Sequence, residues 1–150
     1  MNKLSKSTTK FRKALVDLEK QLKLDPTDEV VLGDSDTFPL KHSFAHGVYI
    51  REMKMEKETF VLGKIHQHEH IWFLLTGHLM VKTEEGLEEY LAPCYVKAPG
   101  GSQRLIYALE KSIFVNVHAN PTNTENVEQL ETEIIAKNYL EYEKNKQLKS

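Results

Sequence analysis

One cysteine, one tryptophan and five prolines stand among 150 residues, and each scarcity removes a class of protein. With Cys94 alone no intrachain disulfide can form, so nothing in the chain calls for an oxidising compartment. Long apolar runs are missing as well. The longest, Ile71 to Leu75, has five residues, against the roughly 20 that a membrane-spanning helix needs. The first residues, Met1 to Thr9, carry no continuous apolar stretch of the kind a secretory signal requires, and the expected location is the cytoplasm. Nor is there an excess of one charge: 20 Lys and Arg face 22 Asp and Glu, a net charge of -2. The chain therefore lacks the broad positive field of a dedicated nucleic-acid binder, and no membrane partner is expected. No G-x-S-x-G elbow, phosphate-cradling glycine loop or Cys-x-x-Cys pair occurs, which leaves hydrolase triads, P-loop chemistry and zinc-finger reading without support.

What remains is an ordinary folded composition, 40% hydrophobic and 28% charged, in a length suited to one domain with a real core. Residues 1–24 hold seven Lys and Arg against Asp17 and Glu19, and Phe11, Ala14, Leu15, Leu18 and Leu22 recur at helical spacing. That spacing predicts an amphipathic helix capped by Thr8 or Thr9. An acidic linker follows, Asp25 to Asp36, with room for a short strand at Val30 to Leu32.

From residue 44 the texture changes to short β-rich runs separated by turn signals at the roughly 8- to 12-residue intervals of a sandwich or barrel. Strands are predicted at 48–55, 59–65, 71–75, 78–83, 87–91, 95–98, 104–108 and 113–118, eight in all. Glu84-Glu85-Gly86 reads as a hairpin turn, while Pro93 and Pro99-Gly100-Gly101 are breaks. After Pro121 the pattern is helical again. Val127, Leu130, Ile134 and Ile135 form an apolar stripe behind a Thr122-x-x-Glu125 capping box. The expected organisation is a helix and linker over 1–43, a barrel over 44–120, and a helix and tail over 121–150.

The chemistry-bearing segment is Gly63-Lys64-Ile65-His66-Gln67-His68-Glu69-His70, which concentrates three of the seven histidines. At i, i+2 and i+4 their side chains leave one face if the segment is a single strand. A neutral imidazole keeps a free lone pair near pH 7, so clustered histidines suit a transition metal, whether Zn, Fe, Ni or Cu, far better than Mg or Ca. Cys94 reads as a small buried hydrophobe, and Trp72, Phe73, Tyr49 and Tyr107 as core or cavity wall. His42, His46 and His78 read as ordinary.

These histidines, the apolar strand ending at Gly77, and Ala98-Pro99-Gly100-Gly101-Ser102-Gln103-Arg104 together resemble the two motifs of the cupin superfamily, whose members are small jelly-roll barrels. In the usual first motif two His one residue apart precede a Glu. His70, seven positions before Gly77, stands where that Glu is expected, with His66 at the second His and Lys64 at the first. In the alternative register His66 and His68 form the pair, and the sequence leaves both registers open. The second motif, Pro-x-Gly-x-x-His, has Arg104 in the ligand's place, and a guanidinium binds no metal.

More narrowly, the Gly63-to-His70 segment, Arg104-Leu105-Ile106-Tyr107-Ala108, and a late strand ending in His118 resemble short cupin-like proteins encoded by phages and prophages. The resemblance implies a mainly β, eight-stranded jelly-roll barrel with flanking N- and C-terminal helices, in the host cytoplasm if phage-encoded. It implies a divalent transition metal on His66, His70 and His118, with His68 as a fourth candidate. Arg104, Lys64 and Tyr107 are the candidates for a small anionic ligand. The expected function is a small cupin-fold protein holding a metal and an anion. The alternative is a metal-dependent oxygenase, isomerase or lyase acting on a small carboxylate, sugar or phenol, with Tyr107, Tyr49 or His68 as acid or base. Two amphipathic helices on a small barrel further suggest a homodimer or larger ring.

Overall fold

The computed structural model describes residues 4–25, the backbone of 30–32, and residues 40–148. Residues 1–3, 26–29, 33–39 and 149–150, most of the acidic linker among them, lie outside the described residues. The chain forms α1 (Lys6–Leu24), β1 (Val30–Leu32), β2 (Leu40–Ala45), β3 (Val48–Met55), β4 (Phe60–Leu62), β5 (Ile65–His66) and β6 (His70–Thr83). There follow β7 (Gly86–Leu91), β8 (Cys94–Ala98), β9 (Leu105–Ala119), α2 (Val127–Ile134), β10 (Ile135–Ala136) and α3 (Tyr139–Leu148). No helix among the described residues is long and apolar enough to cross a membrane.

The architecture hangs on β6 and β9, each read from the sequence as two strands and each found as one, 14 and 15 residues long. Gly77 explains the difference. It adopts φ +101° where the β6–β9 register shifts, so the strand bends at a bulge without ending. The first half of β6 pairs with β8 and the second with β7, while β9 lies beside β4 at one end and β3 at the other. Two antiparallel arrays that share β6 and β9 thus fold over one core, with Met55, Leu74, Leu79, Ala108 and Phe114 at its centre. Among the described residues only β1, paired with β4, runs parallel to its neighbour. The expected closed barrel is not formed: β1, β2, β7 and β8 each have one neighbour among the described residues, so this is an open jelly-roll-like sandwich. β2 had no counterpart in the sequence reading, because Leu-Lys-His-Ser-Phe-Ala has no clear apolar alternation; it is a half-exposed edge.

The helices depart from expectation at their ends. α1 begins three residues early, since Ser5 has the extended backbone of a cap and its Oγ accepts from the Thr8 N–H at 3.1 Å. In the C-terminal segment the cap is Asn126, accepting from Gln129 N–H at 3.1 Å, rather than the Thr122 box. The single expected helix is interrupted: Ile135 and Ala136 extend to pair with His66 and Ile65, and Asn138 restarts the helix by accepting from Glu141 N–H at 2.8 Å. Both apolar stripes are covered within the chain. Leu15 and Leu22 pack on Leu62, and Leu130 and Ile134 on Tyr49. The free-stripe argument for self-association therefore falls away.

Gly77 gives the first test. A Cβ there would come within 2.6 Å of the Lys111 carbonyl and the Ser112 Cα, besides meeting the Ser112 hydroxyl. Backbone strain and overpacking then add, so Gly77→Ala is expected to lower the unfolding free energy by at least about 2 kcal/mol, read from urea denaturation. An unchanged midpoint would contradict the role given to the bulge.

Candidate functional site

His70, Trp72 and Leu74 point inward from β6, and Phe114, Asn116 and His118 inward from β9; the register Trp72↔Asn116 brings the two rows together. His66 arrives from β5. The chain turns at Gln67 and His68 before β6 begins, so the histidine segment is not one strand and the expected i, i+2, i+4 face does not form. His66 and His70 converge, while His68 is exposed and contributes its carbonyl, which accepts from His70 Nδ1–H at 3.3 Å. This arrangement follows the register counted from Gly77.

The rings of His66, His70 and His118 form a triangle with centroids 4.4, 4.8 and 5.4 Å apart. Arg104 enters beside them from the Pro99-Gly100-Gly101 turn and is 4% exposed. Its Nη1 donates to His70 Nε2 at 3.1 Å and its Nη2 to Asn116 Oδ1 at 3.0 Å. The guanidinium lies over Phe114, 5.3 Å from the ring centroid. No carboxylate pairs with it among the described residues. Burial lowers its pKa to about 10, partly opposed by Tyr90, so it stays charged at neutral pH.

The same burial, with Arg104 close by, holds the three imidazoles neutral. His70 is lowered to about 4 by burial and then Arg104, and His118 to about 3 by burial, then His70 and Arg104. His66 falls well below its usual value for the same first two reasons, and its buried Nδ1 has no hydrogen-bond partner.

The donor chemistry of this trio suits a transition metal, but with Arg104 in place on His70 the three are not arranged to hold one. The lone pair His70 would offer is engaged by a cation at 3.1 Å, and among the described residues no three His, Cys, Asp or Glu side chains meet as a metal requires.

Two cavities flank Arg104. One, of about 40 Å³, is lined by Arg51, Lys64, His66, Arg104 and Asn116 together with apolar side chains. The other, of about 120 Å³, has Trp72, Val81, Tyr90 and Ala98 as walls and reaches the β6–β7 hairpin. Lys64 is thus brought beside Arg104, as the motif positions suggested. Tyr107 is not: it projects from β9 opposite the buried Ile106 and Ala108, and its ring rests on Phe60 at 4.4 Å. Phe73 likewise faces outward, 36% exposed, whereas Tyr49 and Trp72 are buried as expected and Cys94 packs against the core. Sequence reasoning missed Asn116, although its place two residues before His118 puts it on the same strand face. It also missed the His42 Nδ1 to Tyr49 hydroxyl contact, 2.7 Å, behind the Tyr49 ring that stacks on His118.

The lowered imidazole pKa values fix a pH dependence. The unfolded chain takes up these protons first, from the ordinary value of 6.5 downward, while the folded chain resists until about 4 at His70 and about 3 at His118. Stability is therefore complete above 6.5 and is lost as the pH falls, with an expected slope of about 1.4 kcal/mol per pH unit for each such histidine. Urea midpoints measured between pH 7 and 5, and the shallower slope expected of His118→Gln, check this.

No family model matches the sequence, and no curated protein does. Solved structures do. A cupin 2 conserved barrel domain protein from Salinispora arenicola superposes with a TM-score of 0.50 at 15% identity, over 66% of this chain and 87% of that one. A cupin 2 domain-containing protein from Halorhodospira halophila gives 0.48 at 15% identity, over 57% and 67%. A cupin domain from Bordetella pertussis gives 0.45 at 16% identity, over 55% and 93%. At such identities the likeness concerns the path of the chain, and on the first of these structures, together with the two arrays sharing β6 and β9, the fold is cupin-like.

Proposed function

We propose that this chain is a small-ligand-binding protein whose sandwich interior holds the carboxylate of a small organic anion on Arg104. The observation that carries this reading is the buried guanidinium with neutral partners alone among the described residues. Desolvating a guanidinium costs several kcal/mol, and hydrogen bonds to an imidazole and an amide offset only part of that. The bonds to His70 and Asn116 use two of its five N–H donors. A carboxylate docking there gains bidentate, charge-assisted bonds in a poorly hydrated site. The flanking cavity of about 40 Å³ matches little more than one water's share of liquid volume, about 30 Å³, so the body of the ligand belongs in the larger one. Lys64, on the smaller cavity, adds positive potential.

Calorimetric titration with short carboxylic acids at pH 7 is the test. Arg104→Met is expected to weaken binding about 10- to 100-fold, from the loss of charge-assisted hydrogen bonds, and Lys64→Ala about threefold, in line with a partly screened charge. Carboxylate affinity that survives Arg104→Met would end this reading.

A second reading is favoured by the unpartnered Nδ1 of His66 and the close ring triangle: His66, His70 and His118 holding Zn, Fe, Ni or Cu once Arg104 has moved off His70. A resident metal would supply Lewis-acid chemistry and with it the enzymatic alternative on a small carboxylate, sugar or phenol. Elemental analysis of protein purified without an affinity tag decides it. About one equivalent of metal, lost in His66→Ala/His70→Ala, would put this reading first.

A further inference from the structure

The larger cavity is polarised along its length. Its inner end is the Arg104 guanidinium, its walls are Trp72, Val81 and Ala98, each 4% exposed or less, and its outer end reaches the exposed Glu85 and Glu88 of the hairpin; Lys97, which also lines it, is paired with Glu69 at 3.2 Å. These two carboxylates have no cationic partner among the described residues, whereas the neighbouring Glu84 is paired with Arg12 at 3.5 Å. A site for a simple anion gains nothing from acids at its entrance, which repel the approaching ligand. The same acids favour a ligand whose far end is positive.

We infer that the cavity between Arg104 and the β6–β7 hairpin takes a short zwitterion, an ω-amino acid whose carboxylate meets Arg104 and whose ammonium meets Glu85 and Glu88. The inference rests on the carboxylate reading above and adds the identity of the ligand's other end. Size agrees: about 120 Å³ is four times a water's share of liquid volume, enough for a short chain of methylenes between two charged groups. The walls agree as well. Apolar and aromatic side chains suit methylenes, and Tyr90, standing edge-on to Trp72 at 4.9 Å, offers a ring face or a hydroxyl near the mouth. Its phenol feels both ends of the cavity, held up by burial first and by Glu88 and Glu85, and drawn down by Arg104.

The test compares pentanoate with 5-aminopentanoate by calorimetry at pH 7 and low salt, on the full chain. The amino acid is expected to bind about tenfold more tightly. In Glu85→Gln/Glu88→Gln, a change at exposed positions, that preference is expected to vanish while pentanoate binds as well as before or better. Arg104→Gln is expected to weaken both probes. If 5-aminopentanoate binds no tighter than pentanoate, or if the double variant keeps the preference, the zwitterion is wrong and the carboxylate reading stands. If neither probe binds the wild type, or both bind Arg104→Gln unchanged, both readings fall together.

Discussion

A guanidinium buried without a carboxylate among the described residues is the constraint on which the interior depends. Arg104 needs acceptors, and the chain supplies two neutral ones, His70 Nε2 and Asn116 Oδ1, from the two strands that run through both arrays. For His70 to accept at Nε2 its proton must sit on Nδ1, where the His68 carbonyl receives it at 3.3 Å. The tautomer is thus set by the backbone turn between β5 and β6. Burial first, with this charge beside it, keeps the neighbouring imidazoles neutral, so none of the three adds a positive charge to that of Arg104.

The turn that presents these groups is held from outside the sandwich by the C-terminal segment. Ile135 pairs with His66, Gln67 donates to the Ile135 and Thr132 carbonyls, and Asn145 donates to the Gln67 side chain at 2.8 Å. The Arg104 side of the site is tied in the same way, through Tyr139 donating to Gln103 at 2.6 Å and through Tyr142, whose ring lies so close over Gly101 that a Cβ there would meet it at 2.6 Å. Arg12 joins this segment to α1, stacked 4.4 Å from the Tyr139 ring and bonded to Glu143 at 2.8 Å. Both walls of the site are therefore positioned by residues remote in sequence from either motif.

That remoteness explains what could be read from the chain and what could not. The placing of His66, His70 and Arg104 near one another was legible because motif spacing sets them relative to Gly77 and Pro99, and spacing is local; His118 entered only through the likeness of its late strand to short cupin-like proteins. Both β6 and β9 looked like pairs of strands, because a glycine and a polar Glu110-Lys111-Ser112 step resemble turns; that the ladder continues through them is decided by Ser112, whose hydroxyl accepts from His78 N–H at 3.1 Å, a pairing with no local signature. Ile134 and Ile135 continue a helical stripe on paper, yet the open edge of β5 draws Ile135 into a strand. Tyr107 was misplaced for a simpler reason: it shares a motif with Arg104 but sits an odd number of residues away, which in a strand means the opposite face.

The departures from the cupin motifs also reverse the electrostatic sense of the interior. Where the motif has a carboxylate this chain has His70, neutral under burial, and where the motif has a ligand histidine it has Arg104. A histidine-and-carboxylate set attracts a divalent cation; a guanidinium among neutral imidazoles attracts an anion and repels a second positive charge. His70 and Arg104 act together in that field, because each supplies a hydrogen-bonding partner to the other.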